Sequence, residues 1–120
     1  MTAATYNIII EQGATFDREF TLQIETVGGD QAYDLSQATI YGTVRPRAGS
    51  AEYQEFQVTK TSAAEGRFNV KLLPAQTNQL TPGNGVYDIE LHAVSDDGEL
   101  QVIRLLEGVA TVTPGVTTQR

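Results

Sequence analysis

From Gly85 onward the chain alternates apolar and polar residues with a period of two. Tyr87, Ile89, Leu91 and Ala93 fall on one phase, and Asp88, Glu90 and His92 on the other. Successive side chains of a strand point to opposite sheet faces, so the pattern predicts a strand with one apolar face. Asp96, Asp97 and Gly98 supply the positive-φ positions of a tight hairpin. A return arm follows with Ile103, Leu105 and Leu106, then Val109, Ala110 and Val112. Its apolar phase slips at Glu107-Gly108, and a glycine at a slipped phase predicts a β-bulge there. The stretch from Gly85 to Pro114 therefore reads as a long C-terminal hairpin, the centre of the chain's organisation.

The rest of the chain repeats the pattern in shorter pieces. Tyr6 to Ile10 is a β-branched run that predicts a first strand. Phe16, Phe20, Leu22 and Ile24 alternate with Asp17, Glu19, Thr21, Gln23 and Glu25. Arg18 falls on the inward phase, which puts it at a sheet margin or against a carboxylate. Gly28-Gly29-Asp30 is a turn signal. Leu35 reads as a core plug within a loop. Ile40, Gly42 and Val44 alternate with Tyr41, Thr43 and Arg45, and Pro46 limits that strand because proline cannot donate to a ladder. Tyr53 to Thr59 predicts a further strand with Phe56 and Val58 on one face, and Phe68, Val70 and Leu72 predict another. Ser62 to Gly66 and Thr81 to Gly85 read as turn and loop, Asn84-Gly85 being a turn-forming pair. Pro74 to Leu80 is the one helical candidate, with proline at its first turn. The expected architecture is an all-β sandwich, immunoglobulin-like or jelly-roll, of about seven to eight short strands with one short helical turn. The whole chain, residues 1–120, reads as one such domain.

Composition narrows the partners. The 120 residues carry 8 Lys and Arg against 15 Asp and Glu, a formal net charge of −7. Such a surface repels phosphate backbones and anionic lipid, so neither nucleic acid nor membrane is expected as a partner. There is no cysteine, which removes disulfides and thiolate zinc sites. The sequence begins at Met1 without a basic region or long apolar core and reads as a complete small gene product lacking a secretory signal.

Candidate chemistry is sparse, and each candidate has a plainer reading. Asp88, Glu90 and His92 are metal-ligand types on one strand face, but same-face neighbours stand roughly 7 Å apart, so a solvated polar face is expected instead. Asp96-Asp97-Gly98-Glu99 clusters oxygens of the kind calcium takes, yet lacks the spacing of an EF-hand loop and reads as a hairpin turn. His92 is the single histidine, so any acid–base triad would depend on it, and no Gly-x-Ser-x-Gly pattern accompanies it. Arg45, Arg47 and Lys60 would make a small basic spot for a carboxylate or phosphate, or stand as isolated surface cations. Tyr33, Tyr41 and Tyr53 would line a sugar-binding face, or sit at sheet margins. No catalytic residue, metal or cofactor is expected, and the chain is not read as an enzyme.

A wider likeness runs along nearly the whole chain. Its marks are residues 9–20, Tyr33-Asp34-Leu35-Ser36 with the strand after it, Gly66-Arg67-Phe68 leading to Leu72, and Gln76-Thr77 leading to Leu80. Gly85-Val86-Tyr87-Asp88-Ile89-Glu90-Leu91 and Arg104-Leu105-Leu106-Glu107-Gly108 complete it. In this order the sequence resembles small β-sandwich proteins of tailed bacteriophages and is similar to the N-terminal module of phage upper-baseplate proteins. It departs from the baseplate proteins in ending at Arg120, where they carry a long extension that holds receptor-binding proteins. The resemblance implies a non-enzymatic virion protein that docks on capsid, neck or tail/baseplate subunits as an accessory, cement or decoration protein, and can form a homo-oligomer. Expected contact points are Thr2 and Tyr6 in the N-terminal segment, Arg47 and Tyr53 in the loop they bound, and Val116 and Arg120 in the tail. The alternative expectation is a carbohydrate-binding module aiding host adsorption. A metal-dependent hydrolase using His92 ranks third.

Overall fold

The longest alternating stretches form the middle of the larger of the two sheets that enclose the core. The computed structural model describes residues 3–117, with every side chain among them except those of Ile24, Glu25, Thr26 and Asp30. The strands are β1 (Ala4–Thr5), β2 (Ile8–Glu11), β3 (Phe16–Thr21), β4 (Gln23–Thr26), β5 (Gly29–Ala32) and β6 (Ala38–Arg45). They continue with β7 (Gln54–Glu55), β8 (Gln57–Ser62), β9 (Arg67–Leu72), β10 (Gly83–Val94) and β11 (Leu100–Thr113). A 3-10 turn spans Ala63–Glu65 and a one-turn helix, α1, spans Pro74–Thr77. The larger sheet runs β1-β11-β10-β6-β7, with β2 also on β11, the smaller runs β3-β9-β8, and β4 and β5 pair as a separate antiparallel hairpin. This is the all-β sandwich with a short helical turn that the alternation predicts.

The core fills the space between the sheets. Ile40, Val44, Tyr87, Ile89, Leu91 and Val112 of the larger sheet are buried with Phe16, Phe68, Val70 and Leu72 of the smaller. Leu35 is fully buried from its loop, where its N–H bonds to Ala63 O at 2.8 Å. Arg18 shares the inward phase of Phe16 yet stays exposed, its guanidinium 5.6 Å from the Phe16 ring centre at the margin of the smaller sheet. The inward placement expected of Ile24 falls on a side chain outside the described ones.

Several local expectations change in the structure, each for a tertiary reason. The run expected as one strand over Tyr53–Thr59 divides, because the chain leaves the larger sheet after β7 and enters the smaller at β8. Phe56 is the corner: its N–H bonds to Gly42 O at 2.9 Å and its ring is buried. Asn84 and Gly85 form no turn. They lie within β10, where Gly85 pairs with Ala110 of β11. Only the first turn of the expected helix forms. Thr77 closes it, fully buried, accepting from Gly13 N at 3.0 Å and donating to Ala14 O at 2.8 Å. At the hairpin tip Gly98 alone takes a positive φ, 84°, and Asp96 and Asp97 do not. Glycine relieves the Cβ clash that this conformation imposes on other residues.

The bulge is displaced as well. Ile89 pairs with Leu106 but Glu90 pairs with Arg104, so the extra residue is Leu105, and register runs unbroken through Gly108. Gly108 serves a different need. The N-terminal strands lie parallel on β11, Ala4 opposite Leu106 and Ile8 opposite Ala110 in one constant register. Between them Tyr6 and Asn7 pass over Gly108. Tyr6 N bonds to Glu107 O at 3.0 Å, and the Asn7 side chain accepts from Val109 N at 3.0 Å. A Cβ on Gly108 would collide with Tyr6 O and come within 2.9 Å of Asn7 Oδ1. The Tyr87 hydroxyl donates to Tyr6 O from below, and burial pushes its pKa up to about 12. Gly108→Ala is therefore expected to cost about 1–3 kcal/mol by overpacking. A lowered urea midpoint would show it, and a variant as stable as wild type would mean that the crossing has room.

Candidate functional site

The outer face of the larger sheet gathers the chemistry-bearing residues. Alternation sends Asp88, Glu90, His92 and Val94 of β10 outward, and register sets what stands beside each. Val86 lies between Arg45 and Val109, Asp88 between Thr43 and Glu107, and Glu90 between Tyr41 and Arg104. His92 lies between Thr39 and Val102, and Val94 pairs with Leu100. The face is thus charged in its middle and apolar toward the hairpin tip.

The charged part is internally paired. Arg104 Nε lies 3.3 Å from Asp88 Oδ2, and its Nη1 lies 3.4 Å from Glu107 Oε2. Glu90 Oε1 lies 3.2 Å from His92 Nε2, and the His92 ring meets Tyr41 edge-on at 4.7 Å between centroids. Exposed pairs of this kind contribute at most about 1 kcal/mol each. Burial, then the Glu90 charge, raise the Asp88 carboxyl above its ordinary value, and together they outweigh Arg104. An open cleft of about 720 Å³ runs over this region, lined by Asn7, Arg45, Asp88, Glu90, Arg104 and Glu107 among others.

This geometry does not gather a catalytic set. Asp88 turns to Arg104 while Glu90 turns to His92, and among the described residues no three His, Asp or Glu side chains are placed to hold a metal ion. At the hairpin tip the Asp97 carboxylate accepts from the Ser95 hydroxyl and from Glu99 N, which lowers its pKa and makes it a turn-stabilising group. Arg45 is committed to its own loop: its Nη1 donates to Ser50 O at 2.7 Å and its guanidinium lies 4.7 Å from the Tyr53 ring centre. Arg47 accepts Ser50 N through its carbonyl at 3.1 Å, and Lys60 stands on β8 in the other sheet. The three tyrosines have separate partners. Tyr33 is half-buried against the core, Tyr41 lies beside His92, and Tyr53 lies under Arg45.

The expected contact points fall in several places. Tyr6 packs edge-on against Phe20 at 5.5 Å and is held to β11. Tyr53 and Val116 are exposed. Thr2 and Arg120 lie outside the described residues. The exposed apolar residues Val94, Leu100 and Val102, together with Arg104 and Glu107, were not singled out by sequence reasoning. The alternation of Leu100, Val102 and Arg104 on one phase of the return arm was the available signal.

Among the described residues no helix is long and apolar enough to cross a membrane. No family model matches the chain, and no curated protein does. Among solved structures it is similar to AggA, the major subunit of aggregative adherence fimbriae type I from Escherichia coli. That likeness has 13% sequence identity, covers 89% of each chain, and has a TM-score of 0.37.

The Asp88 environment fixes a sign. A carboxyl whose folded-state pKa is raised weakens the fold as it ionises, so its cost appears as pH rises from 3.8 through the folded value. Asp88→Asn removes that ionisation. Its stability relative to wild type should rise from acid to neutral pH, read as melting temperature against pH. Parallel curves for the two proteins would rule the assignment out.

Proposed function

We propose that this chain is a non-enzymatic structural protein of a tailed-bacteriophage virion, docking on a larger assembly as a baseplate, tail or neck accessory or as a capsid cement protein. The observation that carries the docking part is the bare apolar end of the outer face. Val94, Leu100 and Val102 are 66%, 60% and 50% exposed, side by side in register, with Tyr41 and His92 next to them. The solvated side of an antiparallel sheet is ordinarily polar, and adjoining exposed apolar side chains mark contact surfaces. The phage assignment rests on the sequence resemblance, which runs through the same hairpin. The paired charges of the cleft serve this role as a polar border rather than as reactive groups.

Imaging of purified particles bearing a labelled copy of the protein tests the reading. Label over the head identifies a cement role, and label at the neck or tail tip an adaptor role. Its absence from particles overturns the proposal. Val102→Asp should leave the fold intact, since the side chain is half exposed, and should reduce incorporation severalfold. Undiminished incorporation would move the contact away from this face.

A further inference from the structure

Asn84-Gly85 is a pair whose turn chemistry the fold does not use. Asparagine is a chemically labile residue, most of all before glycine, which has no side chain to shield its nitrogen from the preceding carboxamide. The other asparagines, Asn7, Asn69 and Asn78, precede Ile8, Val70 and Gln79. In the reaction Gly85 N gives up its proton to solvent and bonds to Asn84 Cγ. The Cγ–Nδ2 bond breaks and ammonia leaves. Water then opens the cyclic imide, at Cγ to give aspartate or at the main-chain carbonyl to give isoaspartate. The first step needs Gly85 N and Asn84 Cγ to come together, and the strand keeps them apart. It holds the side chain to one face of the sheet and the following N–H in the sheet's plane.

The ladder commits the attacking nitrogen. Glu107 O and Thr113 O accept from Tyr6 N and Gln12 N, and Val109 N donates to Asn7. These alternate residues of β11 face the N-terminal strand, so Ala110 faces β10, directly opposite Gly85. Antiparallel residues opposed in this way exchange both N–H···O bonds, and the Ala110 carbonyl therefore holds the Gly85 N–H. Thr111 Oγ1 donates to Asn84 Oδ1 at 3.1 Å and keeps the carboxamide turned across the sheet. Gly85 itself has no room to turn, because a Cβ on it would come within 2.5 Å of Arg45 O. We infer that Asn84 is a deamidation site which the β10–β11 ladder keeps closed, so that it reacts only in molecules whose sheet has opened. The change is then one-way. Isoaspartate adds a methylene to the β10 backbone where Arg45 O leaves no slack, and the strand cannot resume its register with both neighbours. This inference stands whether or not the chain is a virion part.

Mass spectrometry of peptides from the full-length protein, incubated at mildly alkaline pH with and without urea, tests it. Above the unfolding midpoint Asn84 should lose its amide before Asn7, Asn69 or Asn78. In buffer its rate should be about a hundredfold lower or more, because only the open fraction reacts. Below the midpoint the rate should climb with urea along the slope of unfolding. The isoaspartate form, purified and refolded, should unfold at a lower urea midpoint than the unmodified protein. Equal rates in buffer and in concentrated urea overturn the inference. So does a rate in buffer that ignores added urea, because the strand end would then open by itself. First reaction at another asparagine overturns the choice of site, and an isoaspartate form with an unchanged midpoint overturns the one-way change.

Discussion

The seating of the N-terminal strand on β11 is the constraint from which the larger sheet takes its form. β11 needs a neighbour on each side to be an interior strand, and β10 supplies only one. The other comes from Ala4–Glu11, which runs parallel to it. Parallel partners so distant in sequence have no short turn to hold their register. Here side chains hold it. Asn7 reaches down to take Val109 N, Tyr87 reaches up to Tyr6 O, and Gly108 leaves the space between them empty of a Cβ. The Tyr87 hydroxyl is a buried polar group that would otherwise lose its solvation unpaired. Its bond therefore penalises any slip of the strand by more than the bond alone contributes.

With β11 made interior, Ile8 and Ile10 close the core beside Ala110 and Val112, all buried. On the other side of β10 the β10–β11 hairpin runs past the start of β6 at Ala38, its last partner there being Ala93. Beyond that row Val94 and Leu100 have only each other. Apolar exposure at the tip is thus a geometric result of a hairpin longer than the strand that flanks it.

How much of this was legible in the sequence follows from how local each signal is. Ile40-Gly42-Val44, Phe68-Val70-Leu72 and Tyr87-Ile89-Leu91 announce inward faces through a period of two that needs no knowledge of partners, and all but the glycine are buried core side chains. Leu35 was legible as an apolar residue amid polar ones. Features set by distant partners were not. Asn84-Gly85 has turn chemistry, but pairing with Thr111 and Ala110 on one side and proximity to Arg45 on the other make it strand. Gly108 gave a glycine signal with two possible causes, a bulge or a close approach, and only the location of Tyr6 decides between them. The outer face was half legible: Asp88, Glu90 and His92 were placed on it correctly. Their pairing with Arg104, and the company of Val102 and Leu100, depend on a register that Leu105 shifts by one residue.

That shift bears on function through the charge layout. Without the extra residue at Leu105, the strict alternation of β11 would set its outward side chains one position along against β10. The bulge instead brings Arg104 opposite Glu90 and within reach of both Asp88 and Glu107. One guanidinium is thereby shared by Asp88 and Glu107, and Val94, Leu100 and Val102 lie beyond the charges toward the hairpin tip. A face segregated in this way can attract an apolar partner surface without collecting cations at its centre. Its acidic remainder also keeps copies of the protein from meeting face to face.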